Sequence, residues 1–263
     1  MVRWRQTTWL LILLSLAFAL LLALPIIALL ARAVQQSAIS SLSTPATLAA
    51  LRVSLLTSLT SLGLVIVSGT PLAYILARWQ FRGRAWLETL VDLPIVMPPS
   101  VAGLALLVAF GRRGLIGALL LDLGISLPFT TAAVVLAQVF VAGPLYVRAV
   151  RVGFAAVDEQ LEEAALAEGA TPIQIFRYVM LPAARGALVS GAILCWARAL
   201  GEFGATILFA GNLIGRTQTM PLAIYLSLEG DISEALLLAV LMLFISGASL
   251  LLLRRLEEHW QVV

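Results

Sequence analysis

Five strongly apolar stretches of this chain run for at least 19 residues without a charged side chain. They lie between Arg5 and Arg32 (26 residues), Arg52 and Arg78 (25), Asp92 and Arg112 (19), Asp122 and Arg148 (25), and Glu234 and Arg254 (19). A helix crossing a hydrocarbon core of about 30 Å needs about 20 mostly apolar residues, each adding about 1.5 Å. A sixth stretch, from about Gly186 to Ala210, is interrupted only by Arg198 and Glu202. The whole chain is 61% hydrophobic and 12% charged, against roughly 45–50% and 25% in soluble domains. That is more apolar surface than one soluble core hides. The sequence predicts an all-α, polytopic membrane protein with about six transmembrane helices, near 9–31, 53–77, 92–110, 130–147, 187–210 and 235–253.

The first stretch has a rival reading as a secretory signal, with Arg3 and Arg5 as the basic flank and Ala31-Arg32-Ala33 as a cleavage site. Signal cores are about 7–15 residues long, so this longer run is expected to stay as a helix. Orientation follows from the arginines, which concentrate on the cytoplasmic side of membrane proteins. With the N-terminus inside, the inner set is Arg3, Arg5, Arg78, Arg82, Arg84, Arg148, Arg151, Arg177, Arg185, Arg254 and Arg255. The outer set is Arg32, Arg52, Arg112, Arg113 and Arg216. Both termini and the loop over about 148–185 are therefore expected in the cytoplasm. Arg112 and Arg113 run against the rule, and Arg198 remains within the bilayer.

The residue inventory excludes several chemistries. All seventeen basic residues are Arg, so a lysine Schiff base and a G-x-x-x-x-G-K-[ST] phosphate loop are impossible. One Cys (Cys195) and one His (His259) rule out an intrachain disulfide and a histidine-based metal cage. H-E-x-x-H and G-x-S-x-G sites are absent. No cofactor or metal is expected on this chain, and it is not expected to be an enzyme. An ion-driven secondary transporter is the other transport reading. Such proteins often carry internal repeats and paired broken helices, whereas only one broken segment and no repeat is apparent here.

The segment Val157–Pro182 is not an ordinary linker. Val157, Leu161, Ala164 and Ala165 share one helical face, with Asp158, Glu159, Glu162 and Glu163 mostly on the other. Gly169 stands where a helix would end in a left-handed residue. Thr171, Pro172 and Gln174 then form an N-cap, an N1 proline and the N3 member of a capping box. The second helix is expected to stop near Leu181, because Pro182 lacks the amide to continue it. It carries Ile173, Ile175, Phe176, Tyr178, Val179 and Met180 around most of its circumference. Those groups must be buried, either on the chain's own transmembrane ends or in a soluble partner.

Glu163-Ala164-Ala165, Gly169, Val179 and Leu181-Pro182, with their spacing intact, resemble the EAA signature of ABC importer permeases. Val179 stands where that family usually has Ile. The stretches Thr70–Tyr74, Asp92–Pro99, Gly111–Gly114 and Ala197–Thr206 look like the oxyanion branch of that family, the molybdate permeases most of all, with sulfate permeases sharing much of the pattern. The resemblance implies a type I importer permease fold. Its parts would be an N-terminal helix and external loop (1–50), a permease core (51–255) containing a cytoplasmic coupling loop (152–185), and a cytoplasmic tail (256–263). It implies a second permease copy, a pair of ATP-binding-cassette ATPases carrying ATP and Mg, an extracytoplasmic oxyanion-binding protein, and no nucleic acid. It also implies an ATPase-coupling role for Glu163, Ala164, Ala165, Gly169, Thr171, Pro172, Phe176, Val179, Leu181 and Pro182.

Two intramembrane features are candidate pathway or gate elements. Arg198 and Glu202, four apart, would share one helix face and neutralise each other. Alternatively they form only a structural pair that fixes helix rotation. Asp92, Pro94, Pro98 and Pro99 open the third span, and the prolines forbid regular helix there. A helix starting at Pro98 or Pro99, next to Ser100, would aim free amides at the break. The plainer alternative is a surface helix start with Asp92 near the cap. The eight glycines Gly63, Gly69, Gly103, Gly143, Gly191, Gly201, Gly204 and Gly247 are expected to let helices approach closely.

Overall fold

The structure is a computed structural model describing the backbone of residues 2–36 and 44–261 and the side chains of 9–36 and 44–256. Arg3, Arg5 and His259 fall outside the described side chains. Among the described residues every regular element is helical. Four helices are continuous and apolar enough to cross a bilayer. They are α1 (Val2–Gln35), α2 (Pro45–Arg78), α6 (Thr131–Ala155) and α13 (Ile232–Gln261). Local chemistry explains their starts. Thr44 accepts from the Thr47 amide at the head of α2, with Pro45 in the first turn, and Thr130 accepts from the Ala133 amide at the head of α6.

The other two expected spans are broken. The third divides into α3 (Arg84–Val96) and α4 (Pro99–Phe110). Met97 and Pro98 are extended, with ψ of 135° and 139°, as residues preceding proline must be. Pro94 corrects the sequence expectation, because it lies inside α3 and is buried there. Only one backbone hydrogen bond is lost at such a residue, and membrane helices tolerate this when neighbours cover the site. The fifth span divides into α10 (Arg185–Leu200) and α11 (Gly204–Ala210).

Between and beyond these lie the short helices α5 (Gly117–Asp122), α7 (Glu159–Ala167), α8 (Pro172–Ile175), α9 (Leu181–Ala183) and α12 (Met220–Ser227). Helix α12 was not expected. Its eight residues are too few to register as a span.

The core is built where α2, α6 and α10 meet. Val65, Ala73 and Leu76 of α2 pack with Ala142, Tyr146, Val147 and Val150 of α6 and with Cys195 and Ala199 of α10. A second cluster joins α4, α6 and α11 through Ala102, Leu106, Ala137, Val141, Ala205 and Phe209. Gly69, Gly103, Gly143, Gly191 and Gly204 sit at close contacts between helices, whereas Gly63 and Gly247 face open space. Helix α1 stands apart. None of its most apolar window is buried, and it touches the rest through Ala33 against Leu237 of α13. A helix apolar on all sides and uncovered by protein needs lipid as its solvent.

Contacts fix which ends lie together. Glu234 at the start of α13 accepts from Thr47 at 2.9 Å, near the start of α2, and Ala33 near the end of α1 packs on Leu237. At the opposite end, Arg78, the last residue of α2, bonds the carbonyl of Val157 just past α6. The start of α1 and the end of α13 therefore lie at the same end as the 157–183 segment.

Candidate functional site

The 157–183 segment forms as its capping residues dictate. Asp158 accepts from the Gln160 amide at 3.0 Å and caps α7. Gly169 turns the chain with φ +83°, a region closed to most L-residues. Gln174 then accepts both the amide (2.7 Å) and the hydroxyl (2.8 Å) of Thr171. The expected stop at Leu181 does not occur. A π-helical turn over Phe176–Met180 runs into α9, with the Leu181 amide bonded to the Phe176 carbonyl. Shifting to that register removes the need for the amide that Pro182 lacks. The chain instead bends by 73° between Pro172–Ala183 and α10.

The segment has two faces. Inward, Ile175 and Met180 are buried, and Ala165, Phe176, Val179 and Leu181 pack against the main core. Phe176 lies 5.0 Å from the Tyr74 ring of α2 and 6.2 Å from the Phe154 ring of α6. Outward, Ile173 is 70% and Tyr178 67% exposed. Glu163, Ala164, Thr171, Pro172 and Pro182 are exposed beside them, and Glu163 is in no ion pair of the chain among the described residues. The apolar circumference is therefore divided between the two burial options.

A basic brace holds the segment, and it was not expected. The nearly buried Arg78 lies 3.0 Å from Glu162 and 3.7 Å from Glu159, besides bonding Val157. The Glu162 contact is off the hydrogen-bonding direction, so it acts as a charge contact. Four acids on one face of α7 were the available signal, since they call for a cation.

Asp92 is no cap. It lies within α3, 4.0 Å from Arg151 of α6, and Arg151 also reaches Glu88 at 3.3 Å.

Deeper in the bundle, the two helix breaks meet. A cavity of about 210 Å³ is lined by Pro94, Ile95, Met97, Pro99, Ala102, Val141, Leu145 and Arg198. Of the candidate pathway residues, Pro99 and Arg198 come together there, while Asp92, Pro98 and Ser100 do not line it. Arg198 and Glu202 do pair, at 2.8 Å, but not along one continuous helix. Helix α10 ends at Leu200, Gly201 is its C-cap, and Glu202 lies in the break. The Glu202 carboxylate is 1% exposed. Its second oxygen accepts from the Ala205 amide at 2.8 Å, so one side chain ties the end of α10 to the start of α11.

A buried polar stripe also went unread. Gln138 of α6 accepts from Ser61 at 2.8 Å and donates to Thr57 at 3.2 Å. Trp196 donates to Ser58 at 3.0 Å, and the Met220 amide donates to Ser54 at 2.7 Å. The spacing 54, 57, 58, 61 places these hydroxyls on one face of α2, which was readable in advance.

Broken central helices in an apolar bundle, with a braced two-helix segment presented at one end, define a polytopic membrane transport subunit. The chain belongs to the family of binding-protein-dependent transport system inner membrane components, which it matches over residues 69–260. It is 40% identical over 233 residues to the molybdenum transport system permease protein ModB of Mycobacterium tuberculosis, covering 89% of this chain and 88% of that one. It is 36% identical over 234 residues to a probable sulfate transport system permease protein of Nephroselmis olivacea, covering 88% and 82%. Its fold is shared with a chain of a bacterial alginate ABC transporter crystallised with an alginate-bound periplasmic protein. There the TM-score is 0.71 at 18% identity, covering 94% and 92%. The chain is a transport subunit and not itself an enzyme.

Proposed function

We propose that this chain is the membrane-spanning permease of an ATP-driven importer of a tetrahedral oxyanion, molybdate. Two copies would form the channel. An ATPase dimer would bind the outward face of the 157–183 segment, and an extracytoplasmic binding protein would deliver the anion. The observation that carries this reading is the divided coupling segment. One face is anchored to α2 and α6 through Phe176 and Arg78. The other leaves Ile173 and Tyr178 bare, as a docking surface for a soluble partner requires. With that segment in the cytoplasm, both chain ends lie in the cytoplasm too, in agreement with the arginine distribution.

The substrate class rests on the relatives named for molybdenum and sulfate transport. The cycle is alternating access. Closure of the ATPases draws the two segments together, and α10, which follows at the 73° bend, carries the movement to Arg198 in its last turn and to the break that holds Glu202. Arg198 attracts an anion to the cavity, and Glu202 offsets that attraction, so cargo passes instead of lodging. Sulfate is the second reading, favoured by the 36% identical relative. The test is ATPase activity of the reconstituted complex with molybdate, tungstate or sulfate loaded on the binding protein. Molybdate is expected to stimulate most. Stimulation by sulfate alone moves the assignment to sulfate, and stimulation by none of the three overturns the oxyanion reading.

A further inference from the structure

One face of α6 runs from the cavity at the helix breaks toward the end of the bundle that carries the coupling segment. Val141 and Leu145 line the cavity, together with Arg198 of α10. Arg148 follows them at i, i+4 and i+7, so the three residues share that face. Three residues past Leu145, it stands about 4.5 Å further along the helix axis, on the side where the chain runs on to Val157 and Arg78. Helix α3 repeats the pattern. Ile95 lines the cavity, and Asp92 and Glu88 follow at helical spacing toward the same end.

The charges at that end do not balance. Glu88 meets Arg84 at 2.9 Å and Arg151 at 3.3 Å, and Asp92 lies 4.0 Å from Arg151. Both acids are thereby engaged by other arginines. Arg148 is exposed and in no ion pair among the described residues. Membrane topology asks for arginines at this end, but not for one on the cavity face. An arginine keeps its charge at any physiological pH, so this face carries a standing positive charge just beyond the cavity.

We propose that Arg148 receives the oxyanion as it leaves the cavity for the cytoplasm, a role that rests on the importer reading above. A dianion in a passage walled by Val141, Leu145 and Ile95 needs a countercharge. Arg198 supplies one, but Glu202 at 2.8 Å offsets it. Arg148 has no such offset, so the pull on the anion rises from one arginine to the next in the inward direction. Its exposure then lets water take the anion over, because a solvated guanidinium holds an ion weakly.

The test varies the charge at this position within one assembled protein. Cys195 is the only cysteine of the chain and is buried, so Arg148→Cys offers a single accessible thiol on it. The complex in proteoliposomes is treated with methanethiosulfonates that leave a trimethylammonium-ethyl, a hydroxyethyl or a sulfonatoethyl group. Oxyanion uptake is then read per ATP hydrolysed, with the loaded binding protein in excess, and the wild-type complex treated alike reports any effect on partner thiols. The cationic adduct is expected to exceed the anionic one by at least about fivefold, with the neutral one between. Arg82→Cys, an exposed inner position in the turn before α3, is expected to respond to none of the three. Arg148→Lys is expected to stay within about threefold of the wild type, and it serves as the test if Arg148→Cys does not assemble. Equal uptake with all three adducts overturns the proposal. So does the same charge order at Arg82→Cys, or an assembled Arg148→Lys without uptake. A wild type that takes up no oxyanion overturns the importer reading itself.

Discussion

Glu202 offers the sharpest test of how the broken fifth span is held. Its carboxylate is 1% exposed and serves two masters, Arg198 at 2.8 Å and the Ala205 amide at 2.8 Å. Glu202→Ala removes both. Removing one partner of a buried ion pair costs about 3–5 kcal/mol. The Arg198 side chain is 35% exposed, so solvent screening reduces that to roughly 2–3 kcal/mol. Loss of the cap on α11 adds about 1 kcal/mol. Glu202→Gln keeps one accepting oxygen for the Ala205 amide and puts an NH2 that cannot accept in place of the other, so it loses the charge and the Arg198 contact but not the cap, at about 1–3 kcal/mol. The double variant Arg198→Gln with Glu202→Gln removes the uncompensated cation and is expected to recover part of the loss. The assay is thermal unfolding of the detergent-purified complex beside molybdate uptake in proteoliposomes. The expected order of stability is wild type, then Glu202→Gln, then Glu202→Ala, with the double variant above Glu202→Ala. If Glu202→Ala is as stable as wild type, or Glu202→Gln is as damaging as Glu202→Ala, the reasoning fails. Uptake preserved in the double variant marks the pair as structural, and uptake lost from a stable double variant marks it as part of the pathway.

Two further substitutions probe other joints. Gly169→Leu forces a branched side chain into φ +83°, at about 1–2 kcal/mol of backbone strain. The spans are expected to fold while ATPase stimulation by the loaded binding protein is lost, and normal stimulation would count against a coupling role for the turn. Gly204→Ala places a Cβ onto Pro99, where overpacking costs about 1–3 kcal/mol. It is expected to lower uptake more than assembly, as read by size-exclusion chromatography against transport, because it pries apart the two helix breaks.

Much of the architecture could be read from charge spacing alone, because a long uncharged run admits few structures other than a spanning helix. The capping residues Thr171, Pro172 and Gln174 and the turn at Gly169 behaved locally, as caps do, and formed as expected. What escaped was non-local. Pro182 looks like a stop in sequence, but the π turn before it removes the bond it cannot make. Pro94 looks like a breaker, but burial in α3 covers the gap. Arg78 and Arg151 read as topology markers, and only the fold shows the acids they meet. The break at 201–203 is invisible to spacing, since Arg198 and Glu202 are four apart on an ideal helix and still paired when that helix ends between them.

The joints form a connected line. Phe176 is gripped by aromatic rings of α2 and α6, and Arg78 ties α2 to α7 from the other side. Under the proposed coupling, these contacts oppose sliding of the segment over the bundle, and a push on Ile173 and Tyr178 would turn it about that grip. Helix α10 follows α9 at the 73° bend, so under the proposed coupling such a turn would be passed on to α10. Arg198 is in the last turn of α10, at the wall of the cavity that also includes Pro99. Under the proposed function, movement at one end of the molecule would displace the cation at the far end of a single helix. Glu202, bonded to Arg198 and to the Ala205 amide, would pass that displacement to α11 and, through the contact of Gly204 with Pro99, to the head of α4.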